Sequence, residues 1–225
     1  MVVSGTATGV GKTWVAAAVA RELRAGGLPV AARKPVQSFD KADGPTDAEV
    51  LAAASGEAAE AVCPAHRWLA RALAPPMAAE ALGLAPFTVA DLVAETRLPA
   101  AGVVLVEGAG GPRSPLAADG DTVALAEALG ADQVVLVAPA ELGAINAVRL
   151  AAAAFAPRRP LVLLNRFDPG AELHAANLAW LRRVDGFEVL TGAAELTARL
   201  AAGVPRPKAP RGTRLAASSD REEQR

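Results

Sequence analysis

A glycine-rich segment near the N-terminus, residues 5–13, constrains the fold of this 225-residue chain more than any other feature. It reads Gly-Thr-Ala-Thr-Gly-Val-Gly-Lys-Thr, follows the apolar run 1–3 and leads into a stretch with apolar residues at helical spacing. This order indicates a strand, a turn and a helix N-terminus, where free backbone N–H groups and the helix dipole attract anions. We expect Lys12 to reach the β- and γ-phosphates of a nucleotide and the Thr13 hydroxyl to bind Mg²⁺.

The segment departs from the strict phosphate-loop pattern, Gly-x-x-x-x-Gly-Lys-Ser/Thr, because position 6 is Thr6 and the glycine stands one residue earlier, at Gly5. A glycine-rich turn with a solvated lysine is the alternative interpretation. The position between a predicted strand and a predicted helix favours a nucleotide-phosphate site, with backbone N–H groups from Gly9, Val10 and Gly11 facing the phosphates.

The composition narrows the function classes. A chain of this length can bury a substantial core as one domain, and its net charge of −1 gives no reason to expect nucleic acid or an anionic membrane as a partner. It has no run of about 18 apolar residues, and the glycine-rich loop begins too early to leave room for a signal peptide. We therefore expect a cytoplasmic protein, with the single cysteine, Cys63, as a small buried residue in a reducing compartment.

Short apolar runs alternate with helical stretches, which predicts an α/β fold of the P-loop NTPase type, a doubly wound, mostly parallel sheet flanked by helices. The predicted strands are 2–4, 28–33, 102–106, 133–138, 160–164 and 187–190. The predicted helices are 13–25, 46–55, 88–97, 121–129, 143–155, 172–183 and 193–202. Prolines interrupt residues 56–87, which we interpret as a helical excursion over the sheet. We expect one domain over 1–204 and a mobile tail over 205–225.

Charged residues follow the predicted strands at the edge where such sheets bind ligands. Lys34 leaves the second strand, and Pro35 keeps it extended, so its ammonium either stabilises a transferring phosphoryl group or is simply solvated. Asp47 begins a predicted helix, as a helix-capping acid or as an Mg²⁺ ligand. Glu107 ends an apolar strand before the glycine run 108–111, which favours a second acidic Mg²⁺ ligand over a surface acid.

Asn165, at the end of the strand 160–164, could read the edge of a purine or, since Asn and Asp-Pro are common there, form a turn. The three tryptophans, Trp14, Trp68 and Trp180, are interpreted as packing residues.

Taken together, these segments resemble the dethiobiotin synthetase family of biotin biosynthesis over about residues 1–170. The matching blocks are 5–13, 34–38 (Lys-Pro-Val-Gln-Ser), 46–47, 106–111 (Val-Glu-Gly-Ala-Gly-Gly), 142–146 (Leu-Gly-Ala-Ile-Asn) and Asn165. They come in the family's order, and the second and fourth blocks are far more specific than the phosphate loop.

The resemblance implies an ATP- and Mg²⁺-dependent enzyme that joins CO₂ to diaminopelargonate through a carbamate and a carbamic–phosphoric anhydride. It also implies a homodimer whose active site lies at the interface. The implied catalytic residues are Lys34, Lys12 and Thr8. The implied ATP-binding residues are Gly9, Val10, Gly11, Lys12, Thr13, Asp47, Glu107, Gly108, Ala109, Gly110, Asn165 and Arg166, with Thr13, Asp47 and Glu107 as metal ligands. The implied substrate-binding residues are Thr8, Lys34, Ser38, Gly110, Gly111 and, from the neighbouring subunit, Leu142, Gly143, Ala144, Ile145 and Asn146.

The chain departs from the family at three places. Ala7 replaces a common acid, Phe39 replaces a small residue and could crowd the diamine, and no counterpart of the family's Pro-x-Leu base-binding loop follows Asn165. A related amide-forming ligase, a partitioning-type switch ATPase and a paralogue that binds nucleotide without turnover remain alternatives. The switch ATPases carry a signature lysine where this chain has Ala7.

Overall fold

The computed structural model describes residues 1–99 and 102–203, and its central feature is a parallel sheet. The strands are β1 (Val2–Gly5), β2 (Val30–Arg33), β3 (Gln37–Ser38), β4 (Trp68–Leu69), β5 (Val103–Glu107), β6 (Pro115–Ala117), β7 (Gly120–Asp121), β8 (Val134–Pro139), β9 (Leu161–Asn165) and β10 (Val189–Leu190). Within these residues, six strands pair in the order β10-β9-β8-β1-β5-β2, every pair parallel. The predicted fold class is confirmed.

Helices cover both faces of the sheet. They are α1 (Lys12–Ala25), α2 (Asp47–Ser55), α3 (Ala59–Val62), α4 (Pro75–Ala81), α5 (Val89–Glu95), α6 (Thr122–Ala128), α7 (Ala144–Ala153), α8 (Glu172–Arg183) and α9 (Ala193–Gly203), with a 3-10 turn at Ala65–Arg67. On one face, α1 packs against β1, β5 and β2, while α2 packs against the edge strand β2 and against α1, and α9 packs against α1. Strand β8 is buried over nearly its whole length, as a strand covered on both sides must be.

The predicted strands and long helices are present, with ends shifted by no more than two residues. The interpretation of 56–87 as a helical excursion is confirmed for α3, the 3-10 turn and α4, but this stretch also contains β4, which pairs in parallel with β3. The antiparallel pair of β6 and β7 was also unforeseen. Strands of two or three residues carry no readable alternation of apolar and polar positions. The expected tail, 205–225, lies outside the described residues.

The sheet topology determines where the chemistry-bearing side chains lie. Because β1, β2, β5 and β9 are parallel members of one sheet, the residues after their last positions meet at one edge. The loop 6–11 leaves β1 there and leads into α1, Lys34 follows β2, Glu107 ends β5 and Asn165 ends β9. Over residues 1–99 and 102–203, no helix has the length and apolar character needed to cross a membrane.

Candidate active site

The glycine-rich loop takes a conformation that its sequence requires. Gly9 and Gly11 have φ angles of 78° and 96°, in the left-handed region that side chains disfavour. A Cβ atom at Gly11 would overlap the side-chain amide of Asn165, so the backbone approaches that amide too closely for any other residue. Gly11 is also the N-cap residue of α1 and no side chain caps this helix, so the backbone N–H groups of its first turn are free to bind an anion.

Lys12 folds back over this loop. It is 7% exposed, and its Nζ donates to the carbonyl oxygen of Ala7 at 3.0 Å. Burial and the neighbouring charge of Lys34 lower the pKa of Lys12. Both effects disfavour the ammonium form, so an anion bound in the loop would compensate this charge and raise the pKa of Lys12 again.

Four side chains from different elements form a charged cluster beside the loop. The Lys34 ammonium contacts Glu107 Oε1 at 2.6 Å and Asp47 Oδ2 at 2.8 Å, and it also donates to the carbonyl of Gly108 at 3.0 Å. The Thr13 hydroxyl lies 2.8 Å from Asp47 Oδ1 and 2.9 Å from Glu107 Oε1. One hydroxyl proton can serve only one of these two oxygens at a time. The cluster thus has more oxygen acceptors than protons to share among them.

Burial and charge oppose each other in this cluster. Lys34 is 3% exposed and Glu107 is 2% exposed, whereas the Asp47 side chain is 41% exposed. Burial alone would lower the pKa of Lys34, but the charges of Glu107 and Asp47 raise it above its usual value. Burial raises the pKa of Glu107 against the effect of Lys34. Burial also acts to raise the pKa of Asp47, but the charge of Lys34 and the hydrogen bonds from Lys34 and Thr13 together lower it. Lys34 is therefore charged at neutral pH and compensates two acids.

The oxygen atoms of this cluster suit a hard divalent cation. Glu107 Oε2 is buried and has no hydrogen-bond partner among the described residues, although such an atom is costly to leave unpaired. A hydroxyl and two carboxylates are the ligand types that Mg²⁺ prefers. Within residues 1–99 and 102–203, no three His, Cys, Asp or Glu side chains alone are grouped to hold a metal. A metal at this point would therefore need the Thr13 hydroxyl as well as the two acids.

A cavity of about 730 Å³ opens over the cluster. The expected site residues that line it are Thr8, Gly9, Gly11, Lys12, Thr13, Lys34, Ser38, Asp47, Glu107, Ala109 and Gly110. The structure thus brings together segments that are more than 100 residues apart in sequence. The cavity wall does not include the expected residues Val10, Gly108, Gly111, Leu142, Gly143, Ala144, Ile145, Asn146, Asn165 and Arg166.

The side chain of Asn165 is hydrogen-bonded to the phosphate loop. It is 5% exposed, and its amide Nδ2 donates to the carbonyl oxygen of Val10 at 2.9 Å. Arg166 follows with a φ of 55°, which is uncommon for a residue with a side chain. Part of the donor capacity that a purine edge would need is therefore used within the protein.

The segment 142–146 lies at the N-terminus of α7, as predicted. Gly143 has a φ of 91° and precedes the first helical residue, Ala144, while Leu142 is 87% exposed. Because this segment is not part of the wall described above, it could serve a site only from outside this chain's own cavity.

The cap of α2 comes from Thr46, the neighbour of Asp47, and not from the Asp47 carboxylate. The Thr46 side chain accepts from the backbone N–H of Glu49, and the Glu49 carboxylate accepts from the backbone N–H of Thr46. This capping box fixes the start of α2 and leaves the Asp47 carboxylate for Lys34 and Thr13.

Sequence analysis missed several wall residues. Gln37 is 2% exposed, and its Oε1 accepts from the backbone N–H of Ala48 at 2.9 Å, which ties β3 to the start of α2. Phe39, named above as a departure from the family pattern, lines the cavity and meets Trp68 edge-on with ring centres 6.4 Å apart. Trp14, interpreted as a packing residue, is 58% exposed and lines the cavity. No signal in the sequence predicted the contact of Gln37, since it depends on where α2 begins.

The chain is similar in sequence to known proteins. A family model described as an AAA domain matches residues 1–190. An ATP-dependent dethiobiotin synthetase BioD from Anaeromyxobacter dehalogenans (strain 2CP-C) is 44% identical over 191 residues, 80% of this chain and 83% of that protein. Proteins of the same name from Rhodococcus jostii (strain RHA1) and Anaeromyxobacter sp. (strain Fw109-5) are 44% and 38% identical, over 67% and 84% of this chain and 64% and 86% of theirs.

Proposed function

This chain belongs to the family of ATP-dependent dethiobiotin synthetases, and we propose that it converts 7,8-diaminopelargonate, CO₂ and ATP to dethiobiotin, ADP and phosphate. The observation that carries the proposal is the buried Lys34, held between Glu107 and Asp47 beside the Thr13 hydroxyl of a phosphate loop. Such a cluster can bind a nucleotide phosphate, a divalent cation and an anionic substrate next to one another.

The nucleotide phosphates would lie on the loop 9–13. Free N–H groups at the start of α1 attract the phosphate oxygens, and Lys12 would turn from the Ala7 carbonyl to the β- and γ-phosphates. Thr13, Asp47 and Glu107 would hold Mg²⁺, which neutralises charge on those phosphates. Ala109 and Gly110 also line the cavity and allow a close approach of the backbone.

The substrate would supply both nucleophiles, so no protein nucleophile is required. One amine adds to the carbon of CO₂ and loses a proton, which gives a carbamate. A carbamate oxygen attacks the γ-phosphorus, the bond to the bridging oxygen breaks, and ADP leaves. The second amine then attacks the carbonyl carbon of the anhydride, and phosphate leaves as the cyclic urea closes. Lys34 would stabilise the carbamate and the transferring phosphoryl group, with Thr8 and Ser38 positioning the diamine.

We also propose that the active enzyme is a cytoplasmic homodimer. The segment 142–146, in which Leu142 is 87% exposed, does not line this chain's own cavity, and it begins a helix whose N-terminus attracts anions. From a second copy, it would bind the substrate carboxylate, with Gly111 beside the alkyl chain.

The direct test is the complete reaction with diaminopelargonate, bicarbonate, Mg²⁺ and ATP, followed by mass spectrometry of the product and measurement of phosphate in parallel. We expect dethiobiotin to form in step with phosphate. Phosphate without dethiobiotin would point to another ligase or a switch ATPase. Nucleotide binding without either product would indicate a protein that has lost turnover.

A further inference from the structure

Trp14 occupies an unusual place for a large apolar side chain. It follows Thr13 directly in the first turn of α1, is 58% exposed and forms part of the cavity wall beside the phosphate loop. Leaving more than half of so large an aromatic residue in water forgoes favourable burial of apolar surface.

The environment of Trp14 contrasts with that of Trp68. The Trp68 indole N–H donates to the carbonyl of Cys63 at 2.8 Å, and its ring contacts Phe39. Among the residues that the structure describes, Trp14 pairs with no other aromatic ring, and its indole N–H has no hydrogen-bond partner. Packing within the chain therefore does not explain Trp14.

The phosphate-binding groups restrict what can lie against this ring. Lys12, Thr13 and Lys34 mark where the triphosphate would bind, so its nucleoside must extend along another part of the cavity wall. The side chain expected to read the base edge, Asn165, instead donates to Val10 and is absent from that wall. A flat ring beside the phosphate loop is suited to contact the face of a base rather than its edge.

We propose that Trp14 stacks against the base of the bound nucleoside triphosphate and that this contact, rather than edge recognition, holds the base. Stacking accepts every base, since each has a π face. The site would then bind ATP, GTP and CTP with similar affinity. The inference rests on the nucleotide site of the proposed function, but nucleotide binding is measurable without turnover, so a failure to make dethiobiotin would leave this test intact.

The test compares nucleotides with inorganic tripolyphosphate, which has the phosphates but no base. Calorimetric titration of the full chain with Mg²⁺ gives Kd values for ATP, GTP, CTP and tripolyphosphate. For Trp14→Ala, we expect Kd to rise about 10-fold or more for all three nucleotides and to stay within about 2-fold for tripolyphosphate. Trp14→Phe keeps a ring and should recover most of the lost affinity.

Trp180→Ala is the matched control, because Trp180 is exposed as well, at 42%, but lies on α8 and is not part of the cavity wall. It should leave all four Kd values unchanged. In a Trp68→Phe/Trp180→Phe background, nucleotides but not tripolyphosphate should quench the remaining fluorescence of Trp14.

Three results would overturn the inference. Equal losses for nucleotides and tripolyphosphate would show that Trp14 supports the loop instead of the base. A wild-type preference of more than about 100-fold for one nucleotide would show edge recognition. Unchanged nucleotide affinity in Trp14→Ala, together with a change of oligomeric state by sedimentation, would show that a second copy of the chain covers the ring.

Discussion

Arg33 and Lys34 are consecutive buried cations at the end of β2, yet their surroundings differ in kind. Arg33 is 7% exposed, and its guanidinium donates hydrogen bonds to groups within the fold: Glu57 Oε1 at 2.7 Å and the backbone carbonyls of Arg97 and Ala32. Lys34 contacts two carboxylates that also face the cavity. Alternation along an extended strand sends neighbouring side chains to opposite sides, so one cation stabilises the fold while the next faces the site.

The comparison shows that burial of a charge does not by itself reveal its role. Glu57 is fully engaged by the fold, since its second oxygen accepts from the backbone N–H of Ala32 at 2.8 Å. Glu107, by contrast, keeps one buried oxygen without a partner in the described residues. Between these two carboxylates, the unpaired buried oxygen of Glu107 distinguishes the cluster at the cavity from the structural ion pair of Arg33 and Glu57.

The largest expected effect is that of Lys34→Ala on turnover. We expect kcat to fall by about 1,000-fold while the Kd of ATP changes only a few-fold, because the ammonium matters most where charge develops during phosphoryl transfer. Dethiobiotin formation and calorimetric ATP titration measure the two quantities. Arg33→Met is the matched control. Near-normal turnover in Lys34→Ala would remove this side chain from the mechanism.

The variants Lys34→Ala and Arg33→Met should also differ in how ligands affect their stability. Lys34→Ala leaves two carboxylates uncompensated, and Mg²⁺ with a nucleotide should restore much of the lost melting temperature by replacing the missing positive charge. Arg33→Met should cost about 2–3 kcal/mol of unfolding free energy, because it leaves the Glu57 carboxylate without its cationic partner. The ligands should not restore this loss. Thermal and urea unfolding with and without ligands would check both. Equal ligand rescue of the two variants would contradict the division of roles.

Glu107→Gln should raise the Mg²⁺ concentration needed for half-maximal activity by about 10-fold or more, because an amide is a weaker ligand for a hard cation than a carboxylate. A titration of activity against free Mg²⁺ at saturating ATP measures this. Glu95→Gln makes the same chemical change at a carboxylate paired with Arg67 and should leave the metal requirement unchanged. Identical Mg²⁺ curves for Glu107→Gln and the wild type would remove Glu107 from the metal site.

The candidate site divides into residues that the sequence could predict and residues that it could not. Lys34 and Glu107 were predictable, because apolar runs locate the strands and parallel strands end at one edge. The contact of Gln37 with α2 depends on the exact packing of that helix, which no local pattern encodes. Trp14 was misinterpreted because an aromatic residue in a helix usually packs, and its exposure depends on which face of α1 meets the sheet.

The smallest expected effect concerns the pH dependence of stability and the structural ion pair of Arg33 and Glu57. Although burial opposes it, the backbone N–H of Ala32 and the guanidinium of Arg33 lower the pKa of Glu57 below its usual value of 4.5. A carboxyl whose pKa is lower in the folded state stabilises the fold above the unfolded-state value, and this contribution is lost as the pH falls through the folded-state value. Glu57→Gln should therefore destabilise the protein at pH 7, and the difference from the wild type should shrink below about pH 4.5. Urea unfolding at several pH values measures this difference, and one that stays constant with pH would show that packing, not charge, makes Glu57 important.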